Sequence, residues 1–381
     1  MRFLHTSDWH LGRVFHGLKM VEEQEYVLEQ VLNAATLEKV EAILIAGDIY
    51  DRAVPPTDAI ALLDKTLTKI IKELKIPVIL IAGNHDNPER LGFSSNLLAE
   101  EGLYIYGPAT KEIKPVILKD QYGSVYFSPL TYLEPLQARI LSEDPTIKTH
   151  EAALKWQVEM ALKNIPKDAR KVCLAHVFLT GATPTPESER TLSIGGSSTV
   201  SIDCFKDFNY TALGHLHGCQ SGDATVRYSG SLLKYSFNEV NQQKGFHIVD
   251  LDEKGNVSVQ TIPIKANHEL ARLEGSFVDL INNPKDELKD SFLQVTLLDK
   301  TPILDAKYRL EEIYPNILHL EYKEISNGKV ELDEKKAQLQ LGPEELFANF
   351  FEQVNGRNLN EAETKLFEET INELITSERN K

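Results

Sequence analysis

Residues 42–51 read Ala-Ile-Leu-Ile-Ala-Gly-Asp-Ile-Tyr-Asp, an unbroken apolar run closed by Gly47, Asp48 and Asp51. Such a run, with no polar alternation, is a strand covered on both faces. A carboxylate placed just past it stands at the edge of a sheet, where open α/β sheets gather their ligands. Four other segments repeat the pattern. Asp8-Trp9-His10 follows an apolar run at 2–4, Gly83-Asn84-His85-Asp86 follows 78–82, His176 follows 172–175, and Gly214-His215-Leu216-His217 follows 210–213. A pair of divalent cations needs roughly seven oxygen and nitrogen donors at one place, and these segments together supply that set.

Outward from these runs, further β-rich stretches at 125–128, 246–251 and 257–262 alternate with helical ones at 22–38 and 58–74. That alternation predicts an α/β sandwich flanked by helices over residues 1–265. In the second helix Ile60, Leu63, Leu67, Ile70, Ile71 and Leu74 recur at helical spacing, and Leu91, Phe93, Leu97 and Leu98 mark another apolar helix nearby. Packing on the sheet and a contact between two copies of the chain both account for this surplus of apolar surface. Residues 180–201, rich in Gly, Ser, Thr and Pro, read as a long substrate-facing loop, with Arg190 as its cation and a candidate phosphate contact.

Past residue 265 the pattern changes. Strand-like runs at 270–274, 292–298 and 317–322, with helical stretches between them, predict a small α+β domain over 266–325 with a split βαβ arrangement. Residues 326–342 read as a linker and 343–381 as a pair of amphipathic helices. Phe347, Phe350 and Phe351 lie on the apolar face of the first, and Phe367 and Ile371 on that of the second, where Asn360 and Glu363 have capping-box spacing. Two helices of this length cannot build a core alone, so those faces pack on the body or on a partner chain.

Composition narrows the classes. With 381 residues, 42% of them hydrophobic and 26% charged, the chain suits two or three globular domains. No apolar run reaches the ~18 residues of a membrane span, and the first eleven residues read as a strand entering a polar site, so the cytoplasm is the expected compartment. Cys173, Cys204 and Cys219 are odd in number and lack CxxC spacing, which argues against a disulfide framework and a structural zinc. The net charge of −16 disfavours a protein that grips nucleic acid by its own basic face, unless cations and a partner supply positive potential.

Within the candidate site, Asp8 and His10 are two apart at a strand end and are expected to project to one face and bind one cation together. Asp48 can offer one oxygen to each of two cations, and Asn84 adds a neutral amide oxygen. His176, His215 and His217 complete the metal set. Carboxylate, imidazole and amide donors together suit Mn2+ or Fe2+, with Zn2+ possible and Mg2+ less suited. His85 and Asp51 remain as catalytic candidates: His85 to contact the scissile phosphate and assist the leaving oxygen, Asp51 to hold or pair with its imidazole. Asp86 is a candidate to orient a ligand histidine from behind. An activated water is the attacking group, so no protein nucleophile is required. His5, His16, His150, His247, His268 and His319 lack such neighbours and read as structural.

The order DxH, GDxxD, GNHD, a lone His after a strand, and GHLH resembles the calcineurin-like metallophosphoesterases, over about the first 230 residues. The wording His5-Thr6-Ser7-Asp8-Trp9-His10-Leu11-Gly12, with Gly83-Asn84-His85-Asp86 and Tyr228-Ser229-Gly230-Ser231, is similar to that family's bacterial DNA nucleases. The resemblance implies a manganese-dependent exonuclease on double-stranded DNA and endonuclease on single strands and hairpins. It also implies a homodimer assembled with an SMC-type ATPase into a heterotetramer. One cation would be held at Asp8, His10, Asp48 and His217, the other at Asp48, Asn84, His176 and His215. The small domain would direct DNA to the site, and the terminal helices would dock on the ATPase. Archaeal relatives carry a histidine where this chain has Asp51. The competing readings are a protein or small-molecule phosphatase, suggested by Gly47-Asp48-Ile49-Tyr50-Asp51-Arg52, and a non-catalytic scaffold. Against the phosphatase stand GNHD and DWHLG in place of GNHE and DxHG.

Overall fold

All eight apolar runs of the first 265 residues become strands, and with four further strands they assemble into two six-stranded sheets. In chain order the sandwich strands are β1 (Arg2–Thr6), β2 (Ala42–Ile45), β3 (Val78–Ile81), β4 (Leu103–Tyr106), β5 (Val116–Asp120), β6 (Gly123–Leu130), β7 (Arg170–His176), β8 (Tyr210–Gly214), β9 (Gln220–Ser221), β10 (Val226–Tyr228), β11 (Gly245–Leu251) and β12 (Val257–Pro263). The first sheet has the order β12-β11-β1-β2-β3-β4 and the second β9-β10-β8-β7-β6-β5. At the centre of the first, β1, β2, β3 and β4 run parallel; in the second, β10, β8, β7 and β6 do. The central strands of each sheet therefore end at a common edge.

The structure is a computed structural model and describes residues 1–186, 188, 198–323, 351, 357, 359, 360, 363, 364 and 366. Phe3, Leu44, Ile79 and Ile81 from the first sheet meet Phe127, Val172, Leu174 and Tyr210 from the second in one core. Helices α1 (Val21–Leu37) and α2 (Thr57–Thr68) cover the outer face of the first sheet, on Leu4, Ile43, Ile45 and Leu80. Helix α3 (His150–Leu162) covers the second, on Leu130, Cys173 and Ala175. Burial on both faces is why the central strands carry no polar alternation. The helix expected over 58–74 is α-helical only to Thr68 and continues as a π-helical turn over Lys69–Leu74. The apolar helix expected near residues 91–98 is two short pieces, Pro88–Leu91 and Ser95–Ala99.

Past β12, strands Leu270–Gly275, Phe292–Leu297 and Ile317–Tyr322 pair in chain order, with helices Phe277–Asn282 and Ala306–Glu311 between them. Phe292 N donates to Glu269 O and Leu298 N to Gly275 O; the constant offset makes this pair parallel. A split βαβ would insert a strand between such neighbours, so the arrangement is a consecutive βαβαβ instead. The chain divides into two units. One is Met1–Leu273 with Lys285–Gln294 and Lys307–His319; the other is Glu274–Pro284 and Val295–Ala306 with the described residues from Leu320 onward.

Candidate metal centre

The seven proposed ligands converge at the common edge of the two sheets. Asp8 and His10 follow β1, Asp48 follows β2, Asn84 follows β3, His176 ends β7, and His215 and His217 follow β8. Strand alternation is not what aims the first pair. Strand β1 stops at Thr6, and Asp8, His10 and Asp48 adopt left-handed backbone, with φ of 51°, 46° and 50°, as does His215 at 107°. Non-glycine residues accept such backbone only where their surroundings enforce it. Gln24 of α1 enforces it here, accepting from Gly12 N at 3.0 Å and donating to His10 O at 2.7 Å, while the Tyr235 hydroxyl donates to Trp9 O at 2.6 Å.

Asp48 sits at the centre of the cluster. Its Oδ1 accepts from His85 N at 2.9 Å, and its Oδ2 lies 3.7 Å from His10 Nε2 and 3.4 Å from His176 Nε2. On one side, His217 Nε2 and His10 Nε2 face each other at 3.0 Å, and with an Asp8 oxygen they form a group of donors all within 4.8 Å. On the other, Asn84 Oδ1 lies 2.9 Å from His176 Nε2 and 3.1 Å from His215 Nδ1. Asp8, Asp48 and His176 form a second group within 4.8 Å. Two imidazole nitrogens aimed at one another beside a carboxylate are placed as ligands would be, and two such groups, with Asp8 common to both and the Asp48 carboxylate between His10 and His176, fit a pair of divalent cations.

Two of the ring nitrogens that face away are held from behind, which fixes the faces those rings turn inward. His176 Nδ1 lies 2.9 Å from Ala46 O, and His217 Nδ1 lies 3.1 Å from Glu239 Oε1. His10 Nδ1 is buried without a hydrogen-bond partner, its nearest acid being Asp51 Oδ1 at 3.8 Å. Burial and neighbouring charge shift the groups of the site in different directions. Burial pushes Asp8 up to about 6, and burial followed by the charge of His176 holds His215 down at about 3. Burial alone would lower His176, yet Asp48 overrides it and raises the ring to about 9.

His85 donates from Nδ1 to the Asp51 backbone carbonyl at 2.8 Å, so the main chain of Asp51 orients the imidazole. The Asp51 carboxylate accepts instead from Arg13 Nη1 at 2.8 Å. The His85 ring packs edge-on against His10, with centroids 4.7 Å apart, and both His85 and Asp51 remain partly open to solvent. Asp86 orients no histidine: its carboxylate accepts from the backbone N–H of Gly83, Ile49 and Tyr50 at 2.9, 3.1 and 2.9 Å and ties two ligand loops together. Burial, then the neighbouring Asp48, pushes it up to about 6. Gly83 lies so close to Asp48 that a Cβ there would collide with its carboxylate.

His5 hydrogen-bonds Tyr210 and Leu213 O inside the core, and Cys219 Sγ lies 4.0 Å from His247, outside every candidate ligand group among the described residues. Arg190, Phe347, Phe350, Phe367 and Ile371 lie outside the described residues. Phe351 is described, with the Arg357 guanidinium 4.9 Å from its ring centroid. Asn360 and Glu363 exchange the reciprocal capping-box bonds at 2.9 and 3.0 Å. Sequence reading missed Arg13, Gln24 and Glu239. For Glu239 the available signal, Ser236 three residues earlier, points to a local helix cap rather than to His217.

Residues 1–219 match the calcineurin-like phosphoesterase family, and residues 267–355 match a family described as the type 5 capsule protein repressor C-terminal domain. The chain is 31% identical over 383 residues to the SbcD subunit of nuclease SbcCD from Staphylococcus epidermidis, covering 99% of this chain and 100% of that protein. Among solved structures, a Thermus thermophilus protein and a dimetal phosphatase from Danio rerio align with TM-scores of 0.39 and 0.38 at 17% and 12% identity, each over 68% of this chain and 98% of its own. No helix among the described residues is long and apolar enough to cross a membrane.

Proposed function

The chain belongs to the calcineurin-like phosphoesterases, in the branch of the SbcD subunit of nuclease SbcCD, and from that premise we propose that it is a two-metal DNA nuclease working with an SbcC-like SMC-type ATPase. The observation that carries this reading is the position of Asp48 Oδ2, 3.7 Å from His10 and 3.4 Å from His176, and so between the two donor groups. A pair of divalent cations there would polarise a phosphodiester and lower the pKa of an attacking water. Asp8, His10, Asp48 and His217 would hold one, and Asp48, Asn84, His176 and His215 the other. The donor set favours Mn2+, with Fe2+ or Zn2+ as alternatives over Mg2+.

The chain's own part is positioning and proton transfer. His85, fixed through its Nδ1–H by the Asp51 carbonyl, would turn Nε2 to the scissile phosphate and, as the doubly protonated imidazolium, give the Nε2 proton to the leaving oxygen. The Arg13–Asp51 pair places a guanidinium at the rim, available to a phosphate. Arg190 would add a second contact from the loop.

The substrate we assign is DNA, cut from double-stranded ends and at hairpins or single strands, in end processing, repair and recombination. We further propose a homodimer and, with the ATPase, a heterotetramer in the cytoplasm. Supporting the dimer is an open groove of about 380 Å³ lined by Ile60, Leu63, Leu67, Leu98, Leu103 and Ile105. Residues 266–325 would guide DNA, and Phe347, Phe350, Phe351, Phe367 and Ile371 would face the ATPase. The test is cleavage of labelled duplex and hairpin DNA before and after chelation and after Mn2+ is restored, beside p-nitrophenyl phosphate. DNA cleavage that returns with Mn2+ is expected; monoester turnover with intact DNA would move the assignment to a phosphatase.

A further inference from the structure

The stretch from Ser231 to Lys244 carries two buried charges that the proposed reaction does not use. Glu239 is fully buried and Lys244 is 5% exposed, and Lys244 Nζ lies 2.6 Å from Glu239 Oε2. Withdrawing both from water costs several kcal/mol per ion, an expense that packing alone would avoid with apolar residues. The pair instead grips one ligand residue twice. Glu239 Oε1 lies 3.1 Å from the Nδ1 of His217, and Lys244 Nζ donates to the carbonyl of His217 at 2.8 Å. Lys244 also donates to Ser231 Oγ at 2.9 Å and Gln242 Oε1 at 2.7 Å.

We infer that Glu239 is a positioning residue that sets the tautomer of His217, with Lys244 as its anchor; the inference rests on the two-cation reading above. An ionised carboxylate only accepts hydrogen bonds, so the proton of a neutral His217 ring sits on Nδ1. The lone pair of Nε2 then points at His10 and Asp8, as a cation ligand must. Without Glu239 the ring is free to carry its proton on Nε2, donate it to His10 Nε2 across the 3.0 Å gap, and cease to be a ligand. Lys244 holds the carboxylate in place and the His217 backbone with it, so ring and main chain are fixed together.

Two measurements test this. In metal-free wild-type protein, at a pH where the His217 ring carries a single proton, its nitrogen chemical shifts should place that proton on Nδ1; a single proton on Nε2 would overturn the inference. Calorimetric titration with Mn2+ should show two equivalents in the wild type. In Glu239→Ala combined with Lys244→Met, which leaves no stranded charge, one site should weaken about 10- to 100-fold. Glu239→Gln, whose amide oxygen still accepts from Nδ1, should restore most of that loss. Wild-type affinities at both sites in the double variant, or equal losses in the Gln and Ala variants, would refute the tautomer role. A wild type that takes up no second equivalent would refute the two-cation reading, and the His217 tautomer would still decide the inference.

Discussion

Asp8, His10, Asp48 and His215 stand on left-handed backbone, a conformation costing roughly 1–2 kcal/mol per residue outside glycine. The donors are aimed by strained turns that Gln24, Tyr235 and Asp86 hold closed. Gly83 is the tightest point, because a methyl there meets the Asp48 carboxylate. Gly83→Ala is therefore expected to weaken Mn2+ binding at least tenfold by calorimetry; unchanged binding would mean Asp48 is not the shared ligand. Asp86→Ala strips the acceptor from three buried N–H groups and should lower stability by about 2–3 kcal/mol in denaturant melts. At this scale the sequence discloses which residues gather, since each follows an apolar run. It conceals how they are aimed: alternation along a strand accounts for neither Asp8 nor His10, because β1 ends before both. Nor does it reveal Glu239, whose partner lies 22 residues away.

Among the elements, the central strands, buried on both faces, are the most legible, and the edge strand β12 is legible with them although none of its residues is buried. The edge strand β5 alternates buried and open positions and ends in Lys119 and Asp120, so its apolar signal is weak, and β9 has only two residues. Beyond its ladder to β6 and the buried Val116, the end of β5 is held electrostatically. Arg170, opening β7, donates two hydrogen bonds to Asp120 at 2.7 and 2.8 Å, both side chains nearly fully buried. Those bonds from Arg170 hold the Asp120 carboxyl well below the usual carboxylate range. A depressed folded pKa contributes stability that is complete above the unfolded value of ~3.9 and lost as pH falls through the folded one. Stability should accordingly decline below pH ~4 in the wild type, and more shallowly in Asp120→Asn. That variant strands a buried guanidinium and should lose about 3 kcal/mol near neutrality. Matching acid-unfolding curves for the two proteins would show that the pair carries no such linkage.

For the whole molecule, a net charge of −16 must be reconciled with the DNA substrate proposed above. Cations at the Asp8 and Asp48 cluster and a partner ATPase are the proposed sources of positive potential. The apolar surfaces bear on assembly. Ile60→Glu, at the rim of the groove over α2, should shift sedimentation from dimer to monomer, and a dimer that persists would place the interface elsewhere. Deleting residues 342–381 should leave weak Mn2+-dependent cleavage while abolishing co-purification with the ATPase. Retained association would remove the docking role proposed for the tail. The central claim, two cations served by His85, is tested most directly by comparing wild type with His85→Ala for Mn2+ content and for cleavage of a labelled DNA hairpin. The expected result is two equivalents bound in both proteins and a rate at least ~100-fold lower in the variant. Loss of Mn2+ from the variant, or hairpin cleavage at the wild-type rate, would contradict it.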